Sequence, residues 1–156
     1  MNDIFQMAWM IPLIPLAGFL LLGLGRMHLS KNITAAVACL TVVTSFGISL
    51  MLFCKLLDAG DKPHLIHYFD FIKISALHIG FDFQIDRLSG LFLLIITGVG
   101  SLIHVYSAGY MKEESAPDFA RYFSYLNLFI FFMLMLVMGA NLVILFIGWE
   151  GVGLCS

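Results

Sequence analysis

The sequence predicts an all-α integral membrane protein, a polytopic helix bundle with a short extramembrane β-hairpin between its second and third spans. Three observations predict it. Of the 156 residues, 61% are hydrophobic and 12% charged, with a mean hydropathy of +0.99; an ordinary soluble domain carries about twice that charge. Uncharged runs approach or exceed the roughly 20 residues that cross a hydrocarbon core of about 30 Å. Between two of those runs, Ile79, Phe81, Phe83 and Ile85 alternate with Gly80, Asp82, Gln84 and Asp86, the period of a half-buried strand.

The first span is Met7–Gly25, uncharged, with Pro12 and Pro15 near its start. Proline is tolerated early in a membrane helix where a neighbour can satisfy the freed carbonyl. Arg26 to Lys31 turns the chain into a second uncharged run, residues 32–54. Residues 1–54 thus hold two transmembrane helices. Residues 55–87 concentrate charge, with Gly60, Pro63 and three histidines, and form the extramembrane hairpin segment. Within it, residues 68–74 alternate less cleanly than 79–86.

The third span covers residues 88–111 and contains His104. A polar loop at residues 112–118, closed by Arg121, leads into residues 122–156, which carry a single charge. One helix of 35 residues would be about 52 Å long, too long for a single crossing. The turn is expected at Gly139-Ala140-Asn141. Residues 88–156 then hold the third and fourth helices and an incomplete fifth, and the chain is expected to be the N-terminal fragment of a longer protein. Met1-Asn2-Asp3 offers no basic segment, so the first span is expected to be permanent and not a cleaved signal. By charge density, the positive-inside rule puts the loops near Arg26 and Lys112 in the cytoplasm and the hairpin outside.

A net charge of −2 with no Lys/Arg cluster points away from nucleic acid as a partner. Cys39, Cys54 and Cys155 lie in apolar runs without a CxxC pair, as expected of buried thiols. His64, His67 and His78 make a weak metal signal, with no complete ligand set. No phosphate loop, haem motif or iron–sulfur cysteine run is present, and no cofactor is expected in this chain.

The residue most in need of a reason is Glu150, the only acid inside an apolar run. A charge at the centre of a membrane helix costs roughly 2.5–3.5 kcal/mol on the gentlest scale, so an intramembrane carboxylate points to function. Burial raises a carboxyl pKa and a nearby cation lowers it, which is what a proton relay requires. A packing acid held by a hydrogen bond is the alternative. Gly148, Gly151 and Gly153 leave one side of that helix bare, for water or for close helix packing. His104 is a second candidate relay, or a satisfied core histidine. Tyr106 and Tyr110 fit an interfacial aromatic role. Asp86-Arg87 reads as a solvated pair where the hairpin re-enters the membrane.

Four stretches carry a resemblance: Phe83-Gln84-Ile85-Asp86-Arg87-Leu88-Ser89-Gly90, Thr97 to His104 continuing to Met111, Arg121 to Phe129, and Gly148-Trp149-Glu150-Gly151-Val152-Gly153-Leu154-Cys155-Ser156. They resemble the third, fourth and fifth helices of the antiporter-like subunit L (chain 5) family of respiratory complex I. The resemblance implies a proton-translocating membrane-arm subunit of NADH:quinone oxidoreductase, in a bacterial inner membrane, partnered by other membrane-arm subunits and the lipid bilayer. It implies Glu150 as a proton relay paired with a lysine on a later helix, beyond these residues, and a fragment inactive alone. The related large subunit of Mrp-type cation/proton antiporters, and a purely structural membrane scaffold, are the alternative readings.

Overall fold

The structure, a computed structural model, describes residues 7–59, 63–74 and 77–156. The expectation for Met1, Asn2 and Asp3, and the part of the hairpin segment at Gly60, Asp61 and Lys62, lie outside the described residues.

Five helices and one two-stranded sheet follow in order: α1 (Met10–Gly25, entered through a 3-10 turn at Met7–Trp9), α2 (Lys31–Ala59), β1 (His64–Ile74), β2 (Leu77–Ile85), α3 (Arg87–Tyr110), α4 (Ala116–Met138) and α5 (Leu142–Cys155). Four spans among the described residues are long and apolar enough to cross a membrane: Met7–Gly25, Lys31–Asp58, Arg87–Glu113 and Ala116–Met138. The chain is a multi-pass membrane protein. Leu142–Cys155 is apolar but shorter.

Two boundaries differ from the expectation. Helix α2 runs on through Lys55 and Asp58 to Ala59, because both side chains clear the apolar surface at the helix end. Helix α4 starts at Ala116, not near Tyr122, and Arg121 is helical. Ser115 caps it, its hydroxyl accepting from the Asp118 amide at 3.4 Å. Pro117 stands in the first turn, where a missing N–H costs nothing.

The proline in α1 is answered across the bundle. Pro15 cannot donate to the Ile11 carbonyl, and the Ser45 hydroxyl of α2 donates to it at 3.0 Å. A second interhelical contact joins the Thr41 hydroxyl to Asn127 Oδ1 at 2.8 Å. Such bonds, with small residues, hold membrane helices together where the hydrophobic effect between helices is absent.

The hairpin is antiparallel, with bulges between His67 and Phe69 and between Asp70 and Ile72. Each bulge inserts an extra residue, which is why residues 68–74 alternate poorly. Tyr68 turns inward as a result and packs edge-on against Phe83, ring centroids 5.3 Å apart. Burial pushes its phenol up from the ordinary tyrosine range. Phe83 and Ile85 join the same core as Leu134, Met138 and Ile144. The hairpin therefore lies against the end of the bundle where α4 turns into α5.

The cysteines depart from expectation. All three are free thiols, Cys54 is exposed, and Cys39 and Cys155 are half-buried. In a membrane helix an apolar run has no inside and outside in composition alone, so an apolar neighbourhood did not mean a buried side chain.

Candidate proton-relay site

Helix α5 begins at a built cap. Asn141 Oδ1 accepts from the Ile144 amide at 3.0 Å, satisfying one of the orphan donors of the first turn. From there Glu150 is nine residues further, about 13.5 Å along the axis.

Two glycines set the rotation of α5 on α4. A Cβ on Gly148 would fall 2.6 Å from the Leu136 backbone nitrogen, and one on Gly151 2.1 Å from the Phe132 ring. Both positions face α4, and Gly148 and Gly151 are buried. Glu150 lies between them in sequence and lines, with Trp149, Phe146 and Leu154 of α5 and Phe132 of α4, an open hollow of about 560 Å³. Glu150 is exposed on the outside of this bundle. Among the described residues its carboxylate has no hydrogen-bond or ion-pair partner.

His104 sits elsewhere, fully buried in α3. Its Nδ1 lies 2.7 Å from the Gly100 carbonyl oxygen. A carbonyl only accepts, so Nδ1 carries the proton. In the neutral ring Nε2 is then the acceptor, and it is buried without a partner among the described residues. The ring lies against Phe123, centroids 6.1 Å apart. Nearby, Ser107 and Tyr122 share a hydrogen bond at 3.1 Å. Glu150 and His104 are thus not brought together: one lies inside the bundle and the other on its outer face.

Asp86 is more than a solvated boundary residue. It caps α3, its carboxylate accepting from the Ser89 amide at 2.7 Å while Ser89 Oγ accepts from the Asp86 amide at 2.8 Å. The Ser89 hydrogen bond is the main cause holding the Asp86 carboxyl below the usual range, against the opposing effect of desolvation. Asp86-x-x-Ser89 was the signal for it. His67, one of the three histidines, is taken up by Asp82 across the strands at 2.5 Å and by Asp70 at 3.6 Å. Among the described residues no three His, Cys, Asp or Glu side chains stand together as a metal site. Tyr106 and Tyr110 are exposed and stack along one face of α3, 6.1 Å apart.

Residues 71–123 match the family described as NADH-ubiquinone oxidoreductase (complex I), chain 5 N-terminus. The chain is 43% identical over 152 residues to the NADH-quinone oxidoreductase subunit L of Mycobacterium tuberculosis H37Rv, covering 95% of this chain and 23% of that protein. It is 36% identical over 144 residues to subunit L of Escherichia coli K12, covering 92% and 23%. Subunit L of Neisseria meningitidis serogroup B aligns over all 156 residues at 33% identity, again over 23% of its own length. That alignment includes the Glu150 segment. The resemblance carried by the four motifs is borne out, and the chain spans less than a quarter of the length of the relatives it matches.

Proposed function

We propose that this chain, similar over nearly its whole length to part of subunit L, forms the N-terminal part of a proton-translocating membrane-arm subunit of NADH:quinone oxidoreductase. Glu150 is the relay carboxylate. The observation that carries this is the setting of Glu150: an exposed carboxylate on an apolar helix, lining an open hollow and without a partner among the described residues. A lysine on a later helix of the full-length subunit completes the site. Its ammonium and the Glu150 carboxylate form the pair through which a proton is handed on. His104, whose buried Nε2 has no partner among the described residues, is a second candidate on a separate path.

The same reading places the chain in the bacterial inner membrane, the hairpin outside and the Glu113 loop in the cytoplasm, among other membrane-arm subunits and lipid. The redox centres belong to those partners, and these 156 residues alone are inactive.

The test is purification of the full-length subunit through a chromosomal tag. It is expected to migrate on native gels with NADH-oxidising activity. Migration with cation/proton antiporter subunits and without that activity would give the chain to the Mrp-type alternative.

A further inference from the structure

The turn between α4 and α5 does more than reverse the chain. Its residues complete the free edge of β2. Gly139 bridges Phe83 in antiparallel fashion, the Ala140 amide donates to the Asp82 carbonyl at 3.0 Å, and the Asn141 side chain donates through Nδ2 to the Gly80 carbonyl at 2.8 Å. An unpaired sheet edge is thereby covered. The same Asn141 amide caps α5 through its oxygen. One side chain thus uses its donor on the hairpin and its acceptor on the helix that bears Glu150.

We propose that Asn141 is a positioning residue for Glu150: its two-sided amide clamps the α5 helix to the hairpin and sets the depth of the carboxylate. The inference rests on Glu150 being the relay. Helix α5 packs on α4 where Gly148 and Gly151 seat against the Leu136 backbone and the Phe132 ring, which fixes its rotation. Its N-terminus is tied where the cap and the Gly80 contact meet. Serine and aspartate cap as well as asparagine does, but neither can donate to Gly80 as Asn141 does: aspartate has no N–H, and serine falls short of the reach.

The experiment compares Asn141→Asp and Asn141→Ser with Glu150→Gln in the full-length subunit within the assembled complex. Hydrogen exchange is read by mass spectrometry, and NADH-driven proton uptake is read in inverted membrane vesicles. In both Asn141 variants, amides of β2 and the 139–141 turn are expected to exchange about fivefold faster, as loss of one such bond implies. The first turn of α5 keeps its protection. Protons moved per NADH fall severalfold, since displacing a positioned group by about 1 Å can cost up to roughly a hundredfold. Normal pumping in both variants, beside a dead Glu150→Gln, would overturn the clamp and leave Glu150 as the relay. Loss of assembly in both would make Asn141 a folding residue only. Normal pumping in Glu150→Gln would remove the relay itself, and the clamp's purpose with it.

Discussion

The Ser45 hydroxyl donates to the Ile11 carbonyl, 3.0 Å away and four residues before Pro15. It replaces, from the neighbouring helix, the bond that proline cannot make. In hydrocarbon no water can do so, and the carbonyl would otherwise stay orphaned. Sequence places the proline, but only the fold supplies its answer.

Ser45→Ala should therefore destabilise the full-length subunit by about 1 kcal/mol, the upper part of the range for interhelical bonds in membranes. Pro15→Ala restores an N–H to Ile11 and should remove most of that loss. Heat denaturation in detergent of the two single variants and the double variant gives the cycle. An equal loss from Ser45→Ala in both backgrounds would contradict it.

Asp86→Ala removes the cap of α3 and should cost about 1 kcal/mol at neutral pH. Asp86→Asn keeps an accepting oxygen and should cost less. The folded-state pKa of Asp86 lies below its unfolded value, so its contribution is present above about pH 4 and is lost as pH falls through the lowered value. The gap between wild type and Asp86→Ala should narrow only in acid, toward that left by a neutral cap. A gap that stays constant from neutral pH down through that range would contradict the assignment.

The glycines of α5 should differ in how they can be rescued. Gly151→Ala meets the Phe132 ring and Gly148→Ala meets the Leu136 backbone. Each overpacks the α4–α5 contact, at about 1–3 kcal/mol. Phe132→Leu should relieve Gly151→Ala, whereas Leu136→Ala leaves the clash at Gly148 untouched. Complex content on native gels reads both pairs; rescue of the Gly148 variant by Leu136→Ala would contradict this packing.

Much of the architecture was legible because charge is so sparse. The four long spans, the turn at Gly139-Ala140-Asn141 and most of the strand Leu77–Ile85 follow from where polar residues interrupt apolar ones. Helix facing was not legible. A lipid-facing side chain is as apolar as a core one, so Cys54 looked buried and is exposed. The start of α4 was missed by six residues because the charges of Asp118 and Arg121 outweighed the cap signal of Ser115 and Pro117. For the site, Glu150 was identifiable as a lone acid and His104 as a lone imidazole. Their separation, and the link from Asn141 to Gly80 across 61 positions, depend on tertiary packing that no local pattern encodes.

Glu150→Gln asks whether Glu150 carries protons. The amide keeps the shape of the carboxyl and can still hydrogen-bond, but cannot take up or release a proton or draw in a lysine by charge. In membrane vesicles energised with NADH, with complex content equal on native gels, Glu150→Gln should lose most coupled proton translocation. Glu150→Asp, which keeps the acid one methylene shorter, should retain more of it. Normal translocation in assembled Glu150→Gln complex would contradict the account and make Glu150 a packing acid.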